Sequence, residues 1–449
     1  MLGEITSDRG ELEAILERVF ARSQADQTEA LLYVSDSALT RFTHNSIHEN
    51  VSELNRNLSV RAVFGKRVGV ASTDKLDADS IAAVVERATE IAKLSPEDKD
   101  FPGLPSPAAA GIPHDPPHPY DEVTARLSAD ARASAVAEIA RVMNRHELDA
   151  AGFVSSRSDA LALGNSLGIR RYFKSTDAAL NIKAIGETSS GYGEGFARSF
   201  ADLPFAELAE RAAKKAVDSA NPQVLAPGKY TVILEPPAFH EFVGYLSWIG
   251  FGAQPFEEGS SFMAGRLSEK IVGDNVTIRD DYAHPKGDGM PFDFEGVARQ
   301  PVTLIERGIA KDVVYDSYYA AKLRHANTGH ALPAPNSEGP LPLNIVIEPG
   351  SKSIEQLIAE TKNGVLVTRS WYIRLVDQKK TLITGMTRDG LFSIKDGKVG
   401  PGLKNMRFNE SIVGALGRCE LAKELARSDS YVLPAVKIEG FHFTSGTEF

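Results

Sequence analysis

His240 and Glu241 open the stretch His240-Glu241-Phe242-Val243-Gly244-Tyr245, which follows a β-rich run over 230–235 and the pair Pro236-Pro237. A His followed by a Glu on a helix is half of a metallopeptidase site. The imidazole binds zinc, and the carboxylate beside it takes a proton from the metal's water. The common zincin helix carries a second His four residues after the first, on the same face. Gly244 occupies that position, so the zincin pattern is broken. Tyr245 comes one residue later, about 140° around an ideal helix from His240. A phenol of pKa ~10 is a poor ligand at neutral pH unless a metal lowers that value. Read from its residues alone, the segment fits a solvated helix face better than a metal centre.

Other residues invite weaker readings. Asp280, Asp281, Asp288, Asp293 and Glu295 make a carboxylate-rich stretch suited to a hard cation, but without calcium-loop spacing, so a solvated turn is expected. His325 and His330 flank Thr328-Gly329, and nearness in sequence does not make a triad. Gly191-Tyr192-Gly193-Glu194-Gly195 lacks the spacing of a phosphate loop and reads as a flexible turn. Cys419 is the sole cysteine, and a lone cysteine is most often a small buried hydrophobe.

The elements that must position these groups follow from periodicity. Residues 9–24 and 77–94 carry apolar stripes at helical spacing, and Ser128 can cap a third helix ending near His146. β-rich runs at 29–34 and 58–64 frame the first unit, with a tight turn at Gly65-Lys66. Eight of the 24 prolines crowd into residues 95–120, His114 and His118 among them, a density that denies helix or central strand and reads as an extended connector. Runs at 152–156, 160–164, 169–174 and 179–185, then an alanine-rich helix over 202–220, form a middle unit. From Gly228 onward the chain is mostly strand-like, with helical stretches at 237–249 and 353–361. The expected fold class is α+β: an N-terminal domain 1–95, a connector 96–120, a middle domain 121–222 and a large sheet-rich C-terminal domain 223–449.

Composition narrows the function. The 449 residues are 42% hydrophobic and 24% charged, ordinary for a globular chain. One cysteine excludes a disulfide framework and cysteine-rich zinc modules. A net charge of -10 and no basic cluster count against nucleic-acid binding. No apolar run approaches a membrane span, and Met1 to Asp8 lack a signal pattern, so a cytoplasmic protein is expected.

Several motifs recur in a fixed order: Leu39-Thr40-Arg41-Phe42, Gly164-Asn165-Ser166-Leu167-Gly168, Gly265-Arg266-Leu267-Ser268-Glu269-Lys270-Ile271, Pro291-Phe292-Asp293-Phe294-Glu295-Gly296, Leu304-Ile305-Glu306-Arg307-Gly308 and Thr328-Gly329-His330. In that order and spacing the chain resembles the TldD/PmbA family, once described as modulators of DNA gyrase, almost from end to end. The resemblance implies two branches. TldD-like members are similar to a zinc peptidase with an H-E-x-x-x-H helix and a late cysteine ligand. PmbA-like (TldE) members lack the metal ligands and pair with the first kind to make a working peptidase. Carried over, His240 matches the first ligand, Glu241 the general base, and Tyr245 stands where the second His belongs. Cys419 lies near the place of the third ligand, before the terminal run Leu433-Pro434-Ala435-Val436-Lys437-Ile438. The resemblance therefore implies a role in cytosolic proteolysis as the noncatalytic PmbA-like subunit. The alternative it leaves is an atypical zinc metallopeptidase in its own right. Its partners would be a TldD-like paralogue or a second copy of itself, with unfolded peptide as substrate and neither nucleic acid nor membrane. Zinc is the one cofactor implied, and Tyr245 counts against it.

Overall fold

The computed structural model describes residues 8–114, 119–287 and 289–447. His118 and Asp288 lie outside the described residues. The first half is organised on six antiparallel strands: β1 (Gln27–Thr43), β2 (Ser46–Phe64), β3 (Arg67–Thr73), β4 (Asp149–Asn165), β5 (Arg170–Ile185) and β6 (Ser190–Ala197). Their order in the sheet is β3-β2-β1-β4-β5-β6. β1 and β4, from opposite sides of the proline-rich segment, pair from Glu29↔Asn165 to Phe42↔Gly152. One sheet thus runs through both N-terminal units.

Four helices cover that sheet. Helices Arg9–Arg22 and Ala78–Leu94 bury Leu12, Leu16, Ile81 and Ala88 against Leu32, Leu58 and Val60. Helices Ala129–Arg145 and Phe205–Asp218 pack Ile139, Met143, Ala209 and Ala212 on Val154, Leu180 and Ile182. Ser128 caps its helix by accepting from a first-turn backbone N–H, as the sequence predicts, and Asp77 caps helix Ala78–Leu94 in the same way.

Two expectations need correction. Gly191 to Gly195 are no flexible turn; they are the centre of β6. Their side-chain-free surface lets helix Phe205–Asp218 lie directly on the strand: a Cβ at Gly191 would stand 2.0 Å from the Ala212 carbonyl oxygen. The proline-rich segment does hold one helical turn, Pro107–Ala110, because Ser106 caps it and proline at the first position lacks only an N–H that a helix start leaves unpaired. It is also docked: Phe101, Leu104 and Ala110 are buried, and Asn165 Nδ2 donates to the Pro105 carbonyl at 2.8 Å.

The C-terminal half contributes β7 (Gly228–Leu234), β8 (Ile278–Asp280), β9 (Val302–Glu306), β10 (Ile309–Ala310), β11 (Ile345–Ile347), β12 (Asn363–Asp377), β13 (Leu382–Lys395), β14 (Lys398–Gly402), β15 (Met406–Ser411), β16 (Cys419–Ser428) and β17 (Tyr431–Gly446). β7 pairs with β12 on one side and β17 on the other, so β7-β12-β13-β15-β17 close into a ring. Helix Pro236–Gly250 packs Phe239, Phe242, Val243 and Leu246 into the same core as Phe408, Phe441 and Phe443 of the ring. Mixed helix and sheet in the N-terminal half and a sheet-rich C-terminal half make the fold α+β.

Candidate functional site

Helix Pro236–Gly250 starts directly after β7, because Pro236 and Pro237 fix φ at its first two positions. Its apolar face fills the core, which leaves Glu241 and Trp248 exposed and His240 half-buried at the boundary. The His240 ring lies against the Tyr431 ring, with centroids 5.1 Å apart. Its Nδ1 is 3.1 Å from the carbonyl oxygen of Ser428. A carbonyl can only accept, so Nδ1 donates to it and Nε2 is the ring nitrogen left for another partner. That is how a metal-binding imidazole is held from behind. His240 is thus oriented as a ligand.

The partners a zinc ion needs do not converge on it. The Tyr245 hydroxyl donates to the Ile373 carbonyl at 3.0 Å, and its ring packs beside Trp248. Cys419 begins β16 opposite Ile438, whereas Ser428 ends the same strand opposite Tyr431, seven positions earlier on β17. At ~3.3 Å per residue that places the thiol about 23 Å along the strand from the His240 contact. The Cys419 Sγ faces the Leu416 carbonyl at 3.4 Å and packs on the core. Burial pushes its pKa up to about 11. Among the described residues no group of three or more His, Cys, Asp or Glu side chains is placed to hold a metal ion. His240, Tyr245 and Cys419 as they stand do not fit a zinc site.

The carboxylate-rich stretch departs from the solvated turn expected of it. Asp280 and Asp293 are fully buried, and Glu295 nearly so. Asp293 accepts from the backbone N–H groups of Glu295, Val297 and Ala331, each at 2.9 Å. Burial and the neighbouring Glu295 push its pKa up to about 7. Asp280 accepts from Asn344 N at 2.8 Å and faces His330 Nε2 at 3.0 Å. Glu295 pairs with Arg61 of β2. These carboxylates tie loops to the rest of the fold. Sequence reasoning missed Ser428, Tyr431 and Arg61 as partners, since they meet their residues only through strand pairing and domain contact. His325 stacks on Tyr315 with centroids 4.0 Å apart, and His330 is buried. His114 is exposed.

A helix-covered antiparallel sheet joined to a closed strand ring that carries a His-Glu helix defines the class, an α+β chain of two sheets. Family models match in the same order. PmbA/TldA metallopeptidase domain 1 covers residues 28–92, the central domain 114–220 and the C-terminal domain 227–445. The chain belongs to the PmbA/TldD family. It is 26% identical over 410 residues to the metalloprotease PmbA of Escherichia coli O157:H7, a match covering 85% of each chain. It is 28% identical over 297 residues to a metalloprotease PmbA homolog of Haemophilus influenzae, covering 63% of this chain and only 64% of that relative's length. Among solved structures, TldE of Thermococcus kodakarensis matches with a TM-score of 0.85 at 22% identity, over 96% of this chain and 99% of that one, which shows a shared fold. No helix among the described residues is long and apolar enough to cross a membrane.

Proposed function

We propose that this chain is the noncatalytic, PmbA-like subunit of a TldD-type metallopeptidase complex that breaks down or processes peptides in the cytoplasm. The observation that carries this reading is the isolation of His240. It is braced like a ligand by Ser428, while Tyr245 is engaged with Ile373 and Cys419 sits at the far end of β16. One imidazole gives too few bonds to retain zinc against water and chelators. Glu241 then has no metal-bound water to deprotonate. In this reading a TldD-like paralogue supplies the metal and the base, and this chain completes the chamber that receives unfolded peptide. Its dimer contacts fall on the sheet-rich C-terminal half.

Reconstitution tests it. Purified alone, the chain should hold well under one zinc and leave casein intact, and mixing with a TldD-like paralogue should produce cleavage. Glu241→Gln in this chain should leave that cleavage nearly unchanged. Stoichiometric zinc and casein cleavage by the chain alone, lost on the order of 10²-fold with Glu241→Gln, would sink the proposal in favour of an atypical metallopeptidase.

A further inference from the structure

A cavity of about 190 Å³ lies between the N-terminal sheet and the C-terminal half. β4 and β5 supply one wall; Met290, Phe294, Leu343, Asn344 and β16 supply the other. Arg157, Arg198, Arg299 and Arg427 all line it. The first, second and fourth are occupied. Arg157 Nε is 3.1 Å from Asp159 Oδ2, Arg198 donates to the Gly287 carbonyl, and Arg427 is paired with Asp177. Arg157 is half-exposed.

Arg299 is different. It is 2% exposed, and its Nε and Nη1 have no hydrogen-bond partner among the described residues. Two carboxylates lie near enough for their charge to be felt, Asp280 and Asp293. Neither is ion-paired with it: Asp293 accepts from three backbone N–H groups, and Asp280 accepts from Asn344 N while its other oxygen faces His330 Nε2 at 3.0 Å without hydrogen-bond geometry. A buried guanidinium with unmet N–H groups destabilises a fold that an apolar side chain of similar volume would serve better. Such a group suits a ligand that brings its own oxygens.

We propose that this cavity binds a small organic carboxylate. Arg299 grips the carboxylate through its planar fork, the geometry in which arginine surpasses lysine. Leu161, Phe173, Met290, Phe294 and Leu343 enclose an apolar body, which an inorganic anion lacks. The shared chemistry is a carboxylate on a short apolar group, whether the last residue of a peptide or a free acid. The proposal goes beyond the subunit role above and is independent of it, because binding is read without proteolysis.

Titration calorimetry on the full chain tests it with N-acetyl-L-leucine as a peptide C-terminus, isovalerate as a free acid, and N-acetyl-L-leucinamide as the neutral control. At least one acid should bind, and the tighter of the two identifies the source. The neutral amide and Arg299→Met should each weaken binding ~tenfold or more, the scale of a lost charged hydrogen bond. Arg299→Met should keep or raise the melting temperature of the free chain, an outcome a structural arginine would not give. Leu343→Trp, which fills the cavity and leaves Arg299 in place, should also block the acid and serves if the arginine variant does not fold. Absence of acid binding at ~10 mM, equal binding of acid and amide, or full binding by Arg299→Met or Leu343→Trp would each overturn the proposal.

Discussion

Arg61 and Glu295 join the two halves of the molecule: Nη1 of the arginine, on β2, lies 3.3 Å from Oε1 of the glutamate in the C-terminal half. Nη2 of the same guanidinium is 2.6 Å from Glu29 on the neighbouring strand β1. All three side chains are about nine-tenths buried or more. Arg61→Met would leave two carboxylates facing each other without their cation. It should cost ~3–5 kcal/mol of stability at pH 8, the range for breaking a buried pair from one side. Burial already pushes Glu29 up to about 6, so protonation should soften the loss at pH 5. Urea unfolding at the two pH values measures both, and a loss under ~1 kcal/mol at pH 8 would show that the triad is not a structural tie.

Asp316 gives the molecule a pH response of predictable sign. Burial first, and Glu295 second, raise its pKa from 3.8 to about 6. The folded state therefore holds this proton more tightly than the unfolded chain does. Its contribution to stability is complete below about pH 4 and is lost as pH rises through about 6. Asp293, pushed up to about 7, acts in the same direction. Asp316→Asn keeps an oxygen for the Tyr319 N–H that Asp316 Oδ1 accepts at 2.8 Å, and it removes the titration. Relative to the native chain, the variant should gain up to ~3 kcal/mol between pH 4 and 7.5, at about 1.4 kcal/mol per pKa unit. Parallel stability curves for the two proteins would refute this.

Cys419 should be slow toward alkylation. With its pKa pushed up to about 11 from an ordinary 9.0, the thiolate fraction at pH 8 falls on the order of a hundredfold. Iodoacetamide labelling followed by mass spectrometry should show that lag and its disappearance in urea. Labelling at the rate of a free thiol would mean that Cys419 is far more ionised than its burial implies.

Tyr245 should act as a brace. Tyr245→Phe removes one hydrogen bond to the Ile373 carbonyl and should cost ~1 kcal/mol. Tyr245→His would supply the histidine that the helix lacks, yet Cys419 stays at the other end of β16. Zinc affinity should remain weaker than micromolar in a competition titration with a chromophoric chelator. Tight binding would show that the helix and β16 can rearrange to bring the three residues together.

Much of this molecule is written locally. Asp77, Ser128 and Ser353 cap the helices that their spacing announces, because a cap needs only a side chain and the N–H groups two or three residues on. The strand-to-helix turn at Leu234-Glu235-Pro236 is legible for the same reason: proline sets its own φ. Residue order and spacing likewise sufficed to recognise the family. Tertiary structure alone decided the rest. Gly191 and Gly193 became strand because a helix whose contacting residues lie fifteen to twenty-five positions later needed their bare surface. Asp280 and Asp293 became buried ties because backbone N–H groups from distant loops met them. His240 acquired Ser428 as its brace, and lost Cys419 as a neighbour, through the register of β16 on β17. Local sequence fixes period, cap and turn, whereas the meeting of residues nearly two hundred positions apart depends on how strands register and how two halves dock.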